Sequence, residues 1–327
     1  MNFKLKLILR FDLDKQFEMR LEEPALPGLV LKFSRVSEQK DKRYGGFLCT
    51  ALTEAAAPTK IAEVLQSASA PFPKAVQSFA DDLQGRLCDA AERAVKLLRW
   101  FRGSSDGHNP IGAVGGLAYS ADGNHWQPLP TTVNAKLTVG IEQLIMSDEV
   151  ADGVADLWQK GAEEPLAHEL FREAAEQEHK NPRSSLVLGV AAAEVGFKQL
   201  VGNLVPDAKW LADNVPSPPL VVMLTEYFPT LPTEVRLAGT KPKVPGKLIE
   251  MLKKAVLLRN QVAHGKSPKI SADTLHDILA TVHDCLYLFD YYNGQCWAWD
   301  RITSDTRKFI HAESSADLPH GNQHSHR

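Results

Sequence analysis

The sequence has few cysteines, and none of them are arranged as a covalent or metal-binding framework. The 327 residues include only Cys49, Cys88, Cys285 and Cys296, and no two of these form a CxxC pair. No cysteine and histidine cluster has the spacing of a zinc finger. Because disulfide use follows the redox compartment, scattered cysteines indicate reduced thiols in an intracellular protein. We therefore expect no disulfide framework, no metal site and no cofactor.

Long hydrophobic runs are also missing from the sequence. No window approaches the roughly 20 consecutive apolar residues of a membrane-spanning helix. The N-terminal stretch MNFKLKLILRFDLD is too short in its apolar part, and too interrupted by charge, for a signal peptide. These absences predict a cytoplasmic protein without membrane contacts.

The composition is that of an ordinary globular protein. Apolar residues make up 44% of the chain and charged residues 24%, which allows a buried core and argues against disorder. The net charge of -3 excludes a globally basic nucleic-acid-binding protein, so any such signal has to be local.

The region 1–139 predicts a mixed sheet-and-helix fold. Phe3, Leu5, Leu7 and Leu9 alternate with charged residues, which is the two-residue period of a half-buried strand. The same reasoning predicts three further strands and a hairpin around Asp122-Gly123. They cover the segments 16–22, 29–36, 45–52 and 111–130. Between them, apolar spacings of three and four residues predict a short and a long helix, the latter ending at Gly103.

The region 140–300 predicts only helices, so the fold class is α+β with an all-α bundle after the mixed region. Ser147 is a good N-cap, and Gly265 is placed to end an amphipathic helix. The expected helices cover residues 147–160, 166–179, 182–205, 246–264 and 274–292. The polar tail 301–327 is expected to be largely disordered.

The end of the amphipathic helix carries the residue set best suited to chemistry, Arg259 to His264. Arginine offers a planar, permanently charged fork for phosphate, and histidine exchanges a proton near neutral pH. Together they suit metal-free RNA cleavage by attack of the 2′-hydroxyl, with the arginine stabilising the phosphorane charge. The alternative reading is structural, with Arg259 paired to a carboxylate and His264 stabilising the helix C-terminus.

The spacing of these residues limits how they can act. Asn260 and His264 are four residues apart and share a helix face. Arg259 and His264 are five residues apart, which separates their side chains by about 140° on an ideal helix. They converge on one ligand only if the last turn is distorted or if a second copy completes the site.

Basic residues concentrate around this helix. Between Arg236 and Lys269 the chain has nine lysines and arginines but a single acidic residue, Glu250. Such a concentration is expected where phosphates are contacted, and a solvated helix face is the structural alternative. The expected RNA-binding residues are Lys253, Lys254, Lys266 and Lys269.

The segments LGVAAAEVGFKQLV and LLRNQVAHG, some sixty residues apart, give the chain a resemblance to a known family. A buried helix followed by an R-x4-6-H motif with a polar residue after the arginine resembles the HEPN superfamily. The resemblance covers roughly residues 147–292 and leaves the N-terminal region unexplained. It implies that Arg259 and His264 are a catalytic pair, that Asn260 assists them, and that Glu194 of the buried helix is directed towards them.

The resemblance implies a function as well as a fold. Many HEPN proteins are dimeric, metal-independent endoribonucleases of toxin–antitoxin and phage-defence systems. We therefore expect an RNA substrate, a homodimer and an antitoxin or other protein partner. The alternative is a non-catalytic HEPN-like dimerisation or partner-binding module with an N-terminal sensor domain, because a fold does not fix a function.

Overall fold

A computed structural model gives the fold of the chain and confirms the α+β class. The structure describes residues 1–9, 12–13, 15–35, 47–55, 57–67, 72–104, 111–131, 134–135, 143–144, 146–214, 219–235 and 241–316. The chain divides into two compact units, Met1–Glu164 and Pro165–Arg327, which are considered separately below.

The first unit is built on an antiparallel sheet. Its strand order is β3-β4-β5-β1-β6-β9, with β7 pairing to β1 and β8 to β7, while β2 and β10 form a separate parallel pair. The strands are β1 (Asn2–Leu9), β2 (Asp12–Leu13), β3 (Phe17–Leu21), β4 (Leu29–Arg35), β5 (Phe47–Glu54), β6 (Ile111–Val114), β7 (Ala118–Ser120), β8 (Gln127–Pro128), β9 (Asn134–Ala135) and β10 (Gln143–Leu144).

One face of this sheet is covered by helix α2. The two-residue period of β1 buries Phe3, Leu5, Leu7 and Leu9, as the alternation in the sequence predicts. Phe3 meets Phe79 of α2 edge to face, with ring centroids 5.7 Å apart. The opposite face, which carries Lys4, Lys6 and Ile8, is not buried in this way. The helices of the unit are α1 (Thr59–Ser67), α2 (Lys74–Arg102) and α3 (Asp148–Gln159).

The boundary between the units falls after α3, whereas the sequence placed it before this helix. Ser147 caps α3 by accepting from the Val150 N–H, as expected for a helix start. The helix then contacts α2 and β3 of the sheet unit. Trp158 of α3 donates to the Glu22 carbonyl over 3.0 Å and lies 4.1 Å from the Arg93 guanidinium. These long-range contacts attach α3 to the first unit, and its local helical period cannot reveal them.

The second unit consists of helices. They are α4 (Leu166–Gln177), α5 (Pro182–Leu204), α6 (Lys209–Asn214), α7 (Leu220–Val222), α8 (Gly246–Ala263), α9 (Ala272–Tyr292) and α10 (Ser304–Ala316). A π-helical turn, Met223–Tyr227, continues α7, and 3-10 turns cover Pro206–Ala208, Phe228–Thr230 and Cys296–Arg301. The Pro-rich segment before α8 therefore contains helical turns at residues 220–230.

Helix α5 is the central element of the second unit, because it contacts α4, α6, α8 and α9. Leu186, Val190 and Phe197 are among its buried residues. Although no window of the sequence is expected to span a membrane, α5 is, among the described residues, the single helix whose length and apolar composition would allow a membrane crossing. More than half of its most apolar window is buried inside the protein, as in the core helix of a bundle.

Gly196 allows α5 to pack closely against two neighbours. A Cβ atom at this position would lie 2.5 Å from Leu286 Cδ2 of α9 and 3.3 Å from Ala167 Cβ of α4. We expect Gly196→Ala to lower the free energy of unfolding of this unit by about 1–2 kcal/mol. Overpacking destabilises the core, and the higher helix propensity of alanine offsets part of that loss. Urea unfolding followed by circular dichroism measures the effect.

Gly202→Ala, near the C-terminal end of α5, is the matched control for Gly196→Ala. Its added Cβ would meet Lys209 Cγ at 3.7 Å, which is an ordinary contact. Alanine is therefore expected to raise the stability by up to about 1 kcal/mol through helix propensity. Equal stabilisation by both substitutions would contradict close packing at Gly196.

The expectation of a largely disordered tail from residue 301 is wrong for its first part. Helix α10 covers Ser304–Ala316 and buries Ile310. Asp284 of α9 accepts hydrogen bonds from the Thr303 N–H and hydroxyl over 3.0 and 2.6 Å. Burial raises the pKa of Asp284, but the hydrogen bonds from His283 and from the residues opening α10 outweigh it and hold the pKa below its ordinary value. Residues 317–327 lie outside the described part of the chain.

Candidate functional site

Helix α8 and its C-cap carry Arg259, Asn260 and His264, the residues predicted from the sequence to be catalytic. Its apolar period buries Leu248, Ile249, Leu252 and Ala255. The helix ends where Gly265 adopts a φ of +74°, a left-handed conformation that glycine adopts without strain. The His264 N–H still donates to the Asn260 carbonyl over 3.0 Å, which is the bond of a regular α-helix. The helix is thus regular up to Ala263, and His264 is its C-cap residue, with φ -89° and ψ 19°.

Arg259 lies on the side of α8 that faces α5. Its guanidinium forms an ion pair and a hydrogen bond with the Glu194 carboxylate of α5. The Arg259 side chain is 28% exposed and that of Glu194 is 19% exposed, so the pair is partly buried. The Arg259 Nε atom has no hydrogen-bond partner among the described residues. The structure thereby brings together Arg259 and Glu194, which lie 65 positions apart in the sequence.

Asn260 and His264 lie on a different side of α8, exposed to solvent. They are four residues apart and share this face, together with Leu257, whose side chain is 64% exposed. Within the described ranges, no hydrogen bond joins the His264 ring to another side chain. The ring is therefore available to an external group.

A single chain does not bring Arg259 and His264 onto one ligand. Since α8 is regular up to Ala263 and the His264 N–H still donates to the Asn260 carbonyl, the offset between the two side chains stays near the roughly 140° of an ideal helix. His264 also lies about 7.5 Å further along the helix axis. Arg259 contacts Glu194, whereas His264 is exposed to solvent. A second molecule has to supply the missing group if both residues act on one phosphate.

The lysines expected to bind RNA are all exposed. Lys253 forms an ion pair with Glu250 over 2.6 Å, and the Lys254 ammonium lies 3.4 Å from the Thr274 hydroxyl. Lys266 and Lys269 follow the helix in the loop before α9. By helix geometry, Lys253 lies within about 20° of His264, so it shares the same solvent face. Arg236 lies outside the described residues.

A buried polar pair in the second unit was not predicted from the sequence. His168 of α4 and Asp290 of α9 are 2.8 Å apart, with side chains 3% and 11% exposed. The Tyr287 ring packs on His168, with centroids 4.8 Å apart. Nothing in the local sequence joins residues separated by 122 positions, so only the packing of α4 on α9 shows the pair. Because the His168–Asp290 pair is buried, it connects α4 with α9 and is not accessible to a substrate.

The cysteines do not provide a second nucleophilic site in the interior. All four are free thiols in the structure. Burial raises the pKa of Cys49 to about 12 and, together with nearby acidic residues, that of Cys88 to about 11. Burial also raises the pKa of Cys285. These three thiols are protonated near neutral pH and are poor nucleophiles.

The histidines on α9 do not form a metal site in the described part of the chain, where no group of three or more potential ligands occurs. His276 is exposed and lies 3.3 Å from a Glu178 carboxylate oxygen. His283 is mostly buried beside Phe171 and Tyr287. The histidines within residues 317–327 lie outside the described part of the chain.

Comparison of the chain with protein-family models, with curated proteins and with solved structures finds no match.

Proposed function

We propose that the protein is a metal-independent endoribonuclease of the HEPN type that acts in the cytoplasm as a homodimer. The observation that carries the proposal is that α8 presents Arg259 on one side and His264 with Asn260 on another. A partly buried arginine is fixed by Glu194, and an unpaired histidine and Asn260 lie on the exposed face. The exposed lysines beside them provide the charge that an RNA backbone requires.

The chemistry needs one base, one acid and a stabiliser of negative charge. His264 of one copy accepts the proton of the 2′-hydroxyl, and the 2′-oxygen attacks the adjacent phosphorus. The phosphorus–O5′ bond then breaks, and His264 of the second copy protonates the leaving oxygen. The products are a 2′,3′-cyclic phosphate and a 5′-hydroxyl. Arg259 stabilises the phosphorane, and the Asn260 amide donates to a phosphate oxygen.

The orientation of the side chains supports the proposed homodimer. Arg259 and His264 diverge on one copy, whereas a two-fold axis beside α8 places both types of residue around one groove. Such an arrangement would also bury Leu257, which is 64% exposed on the same face as His264. An antitoxin or another protein partner would act by occupying this groove, as expected of a toxin or phage-defence system.

RNA cleavage by the purified full-length protein tests the proposal directly. End-labelled RNA should be cut in the presence of excess EDTA, because no step requires a metal ion. The new 3′ ends should be 2′,3′-cyclic phosphates, which acid treatment or a phosphatase that opens the ring identifies. Cleavage that stops with EDTA, or that leaves 3′-hydroxyl ends, would eliminate this mechanism.

The second candidate function is a non-catalytic dimerisation or partner-binding module with the N-terminal unit as its sensor. The Arg259–Glu194 ion pair favours this alternative, because an arginine already neutralised by a carboxylate has less charge to offer a phosphate. Overproduction in a host cell separates the two functions. A ribonuclease should slow growth and lose this effect with His264→Ala, whereas a binding module should give equal growth with both forms.

A further inference from the structure

The face of the N-terminal sheet that α2 does not cover carries a second candidate binding surface. We refer to it as the open sheet face and define it by Lys4, Lys6, Ile8, Lys32, Thr50 and Leu52. These residues alternate with the buried residues of β1, β4 and β5, so their side chains project on the opposite side of the sheet. All of them are exposed or half-buried, and Ile8 is 43% exposed.

The strand register fixes how the cations are spaced on the open sheet face. Lys6 and Lys32 both pair with Thr50, one from each side. They are therefore two strand spacings apart, about 9.6 Å. Lys4 precedes Lys6 by two residues on the same strand, which places their Cα atoms about 6.7 Å apart. The three lysines thus lie within about two and a half strand spacings of one another on one side of the sheet.

The exposed or half-buried charged residues on this side of β1, β3, β4 and β5 are the cations Lys4, Lys6, Lys32 and Arg20 and the carboxylates Glu18 and Glu54. The net charge of this side of the sheet is therefore positive, although the chain as a whole is acidic. Lys4 and Lys6 have no carboxylate partner among the described residues. Burial lowers the pKa of Lys4, and the charge of Lys6 lowers it further to a smaller extent. Glu18 lies 3.1 Å from Lys32 and 3.0 Å from Arg20, so one carboxylate is shared by two cations.

An aromatic ring borders these cations. The Lys4 ammonium lies 4.0 Å from the centroid of the half-buried Trp126 ring. Leu52 pairs directly with Lys4, and Ile8 follows Lys6 on the same strand side. Apolar and aromatic surface therefore interleaves with the ammonium groups. A purely electrostatic contact would not need such surface, whereas bases that stack require it.

We infer that the open sheet face binds single-stranded nucleic acid, with Lys4, Lys6 and Lys32 on the phosphates and Trp126 stacked on a base. A sheet face that combines cations with an aromatic ring suits unpaired bases, which a duplex hides inside its helix. An acidic peptide would satisfy the lysines but would leave the Trp126 ring without a stacking partner and Ile8 without an apolar contact. The inference goes beyond the proposed function, because binding here needs neither Arg259 nor His264.

Fluorescence anisotropy with a short fluorescein-labelled oligouridylate measures this binding on the full-length protein. All forms carry His264→Ala, so that the probe stays intact whether or not the protein is a ribonuclease. Adding Lys6→Ala and Lys32→Ala should raise the Kd at least about tenfold. It should also reduce the slope of log K against log salt by about 1.4, because each phosphate that a lysine no longer neutralises removes roughly 0.7 from the slope.

Two further variants separate the open sheet face from general electrostatics. Lys60→Ala with Lys74→Ala removes the same charge from exposed positions on α1 and α2, and it should leave the Kd unchanged. Trp126→Ala should weaken binding on the order of tenfold without altering the salt slope, because stacking releases no counterions.

Three results would overturn the inference. One is equal loss of affinity in the Lys6/Lys32 and Lys60/Lys74 variants, and another is undiminished affinity in Trp126→Ala. The third is binding of polyglutamate or of duplex RNA as tight as that of the oligouridylate, which would assign the face to an acidic protein or to a duplex. Since His264→Ala is present throughout, failure of the proposed catalysis alone would leave the affinity differences intact.

Discussion

Replacing His264 by alanine is expected to lower the rate of RNA cleavage by about 10²- to 10⁴-fold, the usual contribution of a positioned acid or base. The His264 side chain is exposed, so its removal should not alter the helical circular dichroism. His276→Ala is the matched control, because that histidine is exposed at 73% on α9 and has no part in the proposed chemistry. It should cleave RNA like the unmodified chain. Undiminished cleavage by His264→Ala would refute the proposed mechanism.

A mixing experiment tests whether two copies share one groove. If both His264 side chains are needed, nine equivalents of His264→Ala should reduce the activity of a fixed amount of unmodified protein about tenfold after subunit exchange, because random pairing turns most active chains into mixed dimers. The matched control adds Leu257→Glu to the His264→Ala chain. A charge on the exposed face of α8 should block pairing and abolish the inhibition. Activity unaffected by any excess of His264→Ala would mean that each chain acts alone.

The fold is predictable from the sequence wherever a local period decides the structure. Alternation identifies β1, the three-to-four spacing identifies α2 and α8, and Gly265 marks the end of α8. These patterns report how each element buries one face, which is a local property. The assignment of α3 to the first unit depends on Trp158 reaching Glu22, and the extent of α10 depends on Asp284 capping its start. Contacts of this range are not encoded in a local period.

In the candidate site, too, local geometry is predictable from the sequence, whereas long-range contacts are not. Ideal helix geometry is enough to predict the angle between Arg259 and His264, because α8 is regular. The direction of Glu194 towards Arg259 is expected from a resemblance to a family, and it takes the packing of α5 on α8 to bring the two side chains together. No pattern in the sequence predicts the pairing of His168 with Asp290. A position on a helix is thus predictable, whereas its partner across the bundle is not.

Breaking the Arg259–Glu194 pair from one side is expected to destabilise the helical unit. Arg259→Met leaves the Glu194 carboxylate, only 19% exposed, without its counterion. Removing one partner of a fully buried pair costs about 3–5 kcal/mol, and the partial exposure here reduces the expected loss to about 1–3 kcal/mol. Urea unfolding followed by circular dichroism measures the loss.

The double variant Arg259→Met with Glu194→Met should recover most of that stability, because two apolar side chains can replace an ion pair without leaving a buried charge. A double-mutant cycle should therefore give a non-additive coupling, whereas additive single effects would mean that the two side chains do not interact. The same double variant separates the two candidate functions. A ribonuclease needs the guanidinium on the phosphorane and stays inactive when stability returns. A binding module uses Arg259 only to hold α8 against α5, so it should regain partner binding along with its stability.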